Sequence, residues 1–406
     1  MIKIRVKSFI IYVLILFSYI SAFFPNEEFR YYDEALGIIC IVYLVGSLFM
    51  RKTDAFTSKM LLLLMSMSVL GVLSNFLFEL QYNYINVLID LYLFLKTFFV
   101  FLSSYIYLRN TKDIDYLFDL LEMTVKILTI ILFTSLMISL IFDTELARYD
   151  VWGKFVNLKV FVFFVKYPSL LAVYVGTLIS ILCCGKKNNI VYIAMNIIIL
   201  FFTQAGLAYI MIFAFLALVY FFKFNKRIRW YHIALLVLGG TIVGYNEIAT
   251  YFFDTSAARA LLFRYAFVTA LEFFPLGTGF STYGGSIAAQ QYAKLYYQYG
   301  FDNYWGMGPN EKGFYLNDTY YPMIIAQFGL VGTILYLVLF IYLFKQFNNV
   351  SNVNIKISLM FILIIILTAN LGQGSVMSSA GVLLMFEAAL LYKKNGSNLN
   401  YSNAAQ

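Results

Sequence analysis

Twelve apolar stretches alternate with short polar breaks along this chain. They cover residues 8–24, 34–50, 60–79, 87–108, 122–142, 167–184, 190–204, 207–223, 230–246, 321–344, 357–371 and 376–392. A helix needs about 20 apolar residues to cross a bilayer, and these stretches approach that length. With no water in the hydrocarbon, the backbone must satisfy its own hydrogen bonds, so each stretch is predicted as a helix. Two intervals break the rhythm. The first runs from Asp143 to Lys166, and the second, of more than 70 residues, from Glu247 to Tyr320. A loop that long is usually functional and has structure of its own. Within it, "TSAARALLFRYAFVTALEFF" reads as an amphipathic helix opened by Thr255 and Ser256 as caps. A glycine turn ends it, and "SIAAQQYAKLYYQY" reads as a second helix. Both are expected to lie against the membrane or to plug a cavity.

The fold class this predicts is all-α: a polytopic integral membrane protein of about 12 transmembrane helices, with a large extracytoplasmic loop carrying short helices. Residues 1–246 hold spans one to nine, 247–320 the loop, 321–392 spans ten to twelve, and 393–406 a polar tail expected to be disordered and cytoplasmic. Composition agrees, with 62% apolar residues and 12% charged, more oil than a soluble chain of 406 residues could hide. The basic, then apolar, start resembles a signal peptide. No convincing cleavage site follows, so it is read as a retained first helix. Lysine and arginine give the orientation. With both termini inside, 18 of the 29 basic residues are cytoplasmic and 9 lie outside, while Lys96 and Lys126 fall within spans. The net charge of +8 needs no nucleic acid, because anionic lipid accounts for it. Cys40, Cys183 and Cys184 sit in or beside apolar runs and read as small packing residues.

Candidate chemistry concentrates in the second long interval. Arg259 and Arg264 present planar forks suited to phosphate oxygens, or they anchor a helix at lipid headgroups. Five residues apart, they stand about 140° apart around a helix and need not act together. The turn around Gly277 and Gly279 is either a plain link or an amide nest for an anion. Asp318 is either a general base at the mouth of span ten or, with Thr319, the cap of a helix that Pro322 helps to start. Glu272 and Glu311 compete for the base role. Tyr283, Tyr296, Trp305 and Tyr320 belong to a dense aromatic set that suits a sugar, or forms an interfacial belt. Lys96 lies deep in span four, with Asp90 closer to the outside and Glu79 nearby. It is either half of an internal ion pair or, less favoured, a lysine that reaches a lipid diphosphate. Asp113 and Asp115 have a D-x-D form but face the cytoplasm on this topology, and the only histidine, His232, lies on that side as well. No metal-ligand cluster or phosphate-binding P-loop is apparent.

The ordered set "R…ALEFFPLGTGFSTYGG…YAKLYYQYG…FYLNDTYYPMIIAQFGLVG", over residues 255–340, resembles bacterial polysaccharide repeat-unit polymerases of the Wzy type, within the O-antigen polymerase/ligase superfamily. The resemblance implies a GT-C-like membrane architecture in the bacterial inner membrane, with an extracytoplasmic site and no metal or nucleotide cofactor. The implied donor is a growing glycan on undecaprenyl diphosphate, and the acceptor is one lipid-linked oligosaccharide unit. A chain-length regulator and a flippase are the implied protein partners. The resemblance implies that outside-facing arginines hold the diphosphate. Arg264 matches the family arginine before the glycine turn and is expected to be catalytic, and Asp318 falls where related ligases place a histidine base and is expected to act as the base. The family often has an arginine where spans seven and eight meet outside. Here that junction holds Gln204, Gly206 and Leu207, so Lys159 or Lys166 is expected to supply the second diphosphate-binding cation. The absence of an outside histidine favours a polymerase over a ligase. A lipid-linked oligosaccharide flippase remains the alternative from another class.

Overall fold

The structure is a computed structural model. It describes residues 6–24, 29, 31–109, 111, 113–142, 144–148, 158–165, 167–185, 189–224, 257–311, 315–372 and 374–404. The first eight helices are α1 (Val6–Phe23), α2 (Tyr32–Phe49), α3 (Ala55–Phe78), α4 (Tyr84–Arg109), α5 (Ile114–Ile141), α6 (Pro168–Cys183), α7 (Ile190–Thr203) and α8 (Gly206–Val219). The long loop contributes α9 (Ala258–Glu272), α10 (Ser286–Gln291) and α11 (Lys294–Gln298). The chain continues as α12 (Tyr321–Asn348), α13 (Val353–Ala369) and α14 (Ser379–Ala404). Two short strands, β1 (Ala147–Arg148) and β2 (Val160–Phe161), pair antiparallel between α5 and α6.

Eleven of the twelve predicted stretches coincide with helices, and the ninth, residues 230–246, lies outside the described residues. Among the described residues, seven helices are long and apolar enough to cross a membrane: α1 to α5, α8 extended to Lys223, and α12. Helices α6, α7 and α13 are shorter and apolar. Helix α2 shows why the solvent is lipid. Leu36, Cys40 and Leu44 are buried at a spacing of four, yet Ile38, Ile39, Val42 and Phe49 on the other faces are exposed. A surface helix in water would carry polar groups there. The chain is an all-α membrane protein.

Several expectations are corrected. The second loop helix is broken in two, because Tyr292 adopts a left-handed backbone conformation between α10 and α11. Helix α9 is apolar on both sides. Leu261, Leu262 and Ala266 are buried, whereas Phe267, Val268 and Leu271 are exposed. The caps Thr255 and Ser256 lie outside the described residues. Tyr320 precedes the first turn of α12 and Pro322 lies within it, so neither Asp318 nor Thr319 is its cap. Lys96 pairs with Asp33 of α2, not with Asp90, and Glu34 lies 3.7 Å away. Helix α14 runs to Ala404, through the segment expected to be disordered. That segment has no proline, and its Gly396 costs a growing helix only about 1 kcal/mol.

At the opposite end of α3 from the long loop, Asp54 caps the helix, accepting from the Thr57 amide at 2.9 Å and the Tyr105 hydroxyl at 2.7 Å. Burial pushes its carboxyl up, but these hydrogen bonds and nearby Arg109 together hold it below the usual range. A depressed pKa contributes stability above the ordinary carboxylate value, and that stability is lost as pH falls through the folded-state value. Asp54→Ala is expected to cost about 1 kcal/mol near neutral pH. Thermal unfolding in detergent should show that cost, and the gap to the parent should narrow in acid.

Candidate functional site

The centre of the long loop is held inside the bundle. Gly329 breaks α12, with φ of 59° and ψ of −158°. The break frees the Ala326 and Gln327 carbonyls, and the glycine turn takes them. Thr278 N donates to Ala326 O at 3.0 Å, Gly279 N donates to Gln327 O at 2.8 Å, and Val331 N donates back to Pro275 O at 3.2 Å. A kinked helix among apolar neighbours needs such substitute partners. Asn75 of α3 grips the next residue from both sides, accepting from Phe280 N at 2.8 Å and donating to Phe280 O at 2.9 Å. Asp90 of α4 accepts from Ser281 N at 2.7 Å and from the Gln327 amide at 3.1 Å. Thr278, Phe280, Ser281 and Thr282 are all buried. The turn is therefore a wedge between α3, α4 and α12. The amides of Gly277 and Gly279 are engaged within the protein, Gly277 with Phe273 O at 2.9 Å, and do not form an open anion nest.

Around this wedge, α9 packs along α12. That packing brings the first turn of α9 to the segment before α12. Arg259 Nε donates to Asp318 Oδ2 at 2.8 Å, and Nη2 donates to Gly372 O between α13 and α14 at 3.3 Å. Three segments far apart in the chain meet here. The two side chains keep 19% and 32% of their exposure, so the pair is partly open at the protein surface.

The other candidates are not gathered at this pair. Arg264 is exposed, with its guanidinium 5.9 Å from the centre of the Tyr265 ring. Lys159 is buried, and its ammonium donates to the carbonyls of Ser139 and Phe142, each at 3.2 Å, at the end of α5. A cation at a helix C-terminus meets unpaired carbonyls and the negative end of the dipole. Gln204, which stands where the resemblance expects an arginine, donates to Leu158 O at 3.0 Å, beside Lys159. Lys166 lies outside the described residues. Glu272 is exposed and accepts from the Tyr299 hydroxyl at 3.4 Å.

Three of the four sugar-binding candidates are core residues. Tyr283, Tyr296 and Tyr320 are buried. The Tyr283 hydroxyl donates to Leu262 O at 2.8 Å, and the Tyr296 hydroxyl accepts from Gly284 N at 2.7 Å. Burial pushes the Tyr296 phenol up, so it keeps its proton. These rings hold the loop together and present no face to a ligand. Trp305 differs, being 80% exposed at the rim of a cleft of about 490 Å³.

Sequence reasoning missed the partners of the wedge, Asn75, Asp90 and Gln327. Their signal is simple: polar side chains inside otherwise apolar stretches need partners. It also missed Gly372, which contributes only a backbone carbonyl and leaves no side-chain signature. No family model matches the chain, and no curated protein matches it.

Proposed function

We propose that the chain is a polysaccharide polymerase that joins undecaprenyl-diphosphate-linked oligosaccharide units. The observation that carries this reading is the partly exposed Arg259–Asp318 pair, a cation and a carboxylate brought together by three separate segments. In this reading twelve spans cross the bacterial inner membrane, both termini are cytoplasmic, and the pair faces outward. The donor's diphosphate competes with Asp318 for the Arg259 fork, which binds phosphate oxygens as readily as a carboxylate. Its arrival releases Asp318. The acceptor hydroxyl oxygen then forms a bond to the donor's anomeric carbon, and its proton passes to Asp318. The bond from that carbon to the diphosphate breaks, and undecaprenyl diphosphate leaves with its charge held against Arg259.

Asp318→Asn keeps an acceptor for Arg259 but removes the base. Single-turnover transfer between purified lipid-linked units is expected to slow about 100- to 10,000-fold, the usual range for general-base catalysis. Donor binding should survive. Unchanged turnover would remove Asp318 from the step.

A transporter of lipid-linked oligosaccharides is the second reading. It is favoured by two buried pairs between helices, Lys96 with Asp33 and Tyr19 with Glu387. Ionisable groups inside a bundle often mark a transport path. Purified protein incubated with lipid-linked units separates the two, since only a polymerase makes dimers of the unit.

A further inference from the structure

We infer that the cleft at Trp305 is a docking site for an uncharged oligosaccharide. Its lining includes Tyr297, Asp302, Asn303, Trp305, Asn310 and Glu311. Trp305 is 80% exposed and Tyr297 56% exposed, so two flat aromatic faces are open to a ligand. Rings of this kind take the C–H face of a sugar, while carboxylate and amide side chains around them take its hydroxyls. The volume of about 490 Å³ falls within the range of small-molecule sites.

The platform is braced rather than loose. The Trp305 ring lies 5.5 Å from the Tyr315 ring. The next residue, Gly306, has φ of +73° and sits so close that a Cβ would come within 2.2 Å of the Tyr315 ring. Its amide donates to the Glu311 carboxylate, and its carbonyl accepts from Tyr315 N at 3.0 Å. A site held this way is ready for its ligand before binding. The same turn reaches the ion pair, because Tyr315 O accepts from Asp318 N at 3.2 Å. Trp305 thus packs on Tyr315, which stands three residues before Asp318.

Charge sets the class of sugar. The described lining carries two carboxylates, Asp302 and Glu311. A uronate or phosphorylated sugar would meet like charge, whereas a neutral one meets acceptors for its hydroxyls. This deepens the polymerase reading and rests on it only for the supply of a glycan at this face.

The test uses the full chain in lipid nanodiscs, with Trp152→Phe and Trp230→Phe leaving Trp305 as the sole tryptophan. The probes are a panel of neutral tetrasaccharides of differing sugars, and tetragalacturonate. At least one neutral probe should change Trp305 emission saturably, and tetragalacturonate should bind at least tenfold more weakly. Tyr297→Ala should weaken the neutral probe about tenfold without moving the unfolding midpoint. Equal or tighter binding of tetragalacturonate, or no saturable response to any neutral probe, overturns the inference. Strong quenching of Trp305 by brominated lipid does so too, since the ring would then lie in the bilayer interface. Elongation activity, read separately on the same preparation, distinguishes the two readings. Elongation without a Trp305 response refutes the cleft alone, and a response without elongation refutes the polymerase alone.

Discussion

Arg259→Ala is expected to lower chain elongation about 10- to 100-fold, because one hydrogen bond to a charged group contributes about 1.5–3 kcal/mol and each 1.4 kcal/mol is tenfold in rate. In the polymerase reading the guanidinium holds the charge that gathers on the leaving diphosphate, so its loss would fall on the transition state. Arg259→Lys should recover part of the rate, since a lysine keeps the charge and loses the planar fork. A purely structural ion pair predicts something different. Reversing it, with Arg259→Asp and Asp318→Arg together, would then restore activity along with stability. The catalytic reading predicts a folded, inactive double variant. Arg264→Ala is expected to change far less. Its side chain is exposed on the side of α9 that carries Phe267 and Leu271, about 140° around the helix from Arg259. Chain-length ladders from equally expressed variants compare all four directly.

Gly277→Ala is expected to leave little folded protein in the membrane. Gly277 has φ of +78°, and a Cβ there would stand 2.3 Å from Gly329 N, 2.6 Å from Ala326 O and 2.7 Å from Gln327 O. All three are backbone atoms of the kinked helix, so no flexible side chain can yield. The left-handed conformation costs an alanine about 1–2 kcal/mol, and overpacking adds about 1–3 kcal/mol. The wedge would leave α12, and the carbonyls freed at Gly329 would lose their partners in an apolar setting. Fluorescence-detected size exclusion of a tagged variant should show loss of the monodisperse peak. A normal peak and unfolding midpoint would mean that the wedge is not packed this way.

Much of the architecture was legible because span formation is local. A run of apolar residues must satisfy its backbone within itself in lipid, and this needs no knowledge of neighbours. The helices at 87–108 and 207–223, for instance, are found within a few residues of their predicted bounds. The same reasoning failed where composition gives no direction. Helix α9 looked amphipathic, yet Leu261 is buried and Leu271 exposed, because lipid accepts an apolar side chain as readily as a protein core does. The sequence places Asp90 and Glu79 near Lys96, while the packing of α2 against α4 presents Asp33 to it. The aromatic set was legible as a group. Only its packing separates Trp305, left exposed, from Tyr283, Tyr296 and Tyr320, used as mortar.

By itself, the sequence determined that this is a helical membrane protein with a tyrosine-rich loop, carrying Arg259 and Arg264, between its ninth and tenth apolar stretches. Tertiary structure alone decided which charges meet. Arg259 and Asp318 are 59 residues apart and lie side by side only because a glycine turn fills a glycine kink and holds the loop against the bundle. Apolar length is written residue by residue, but in a medium where every face of a helix is acceptable, partners are chosen by the few buried polar atoms that must find one another.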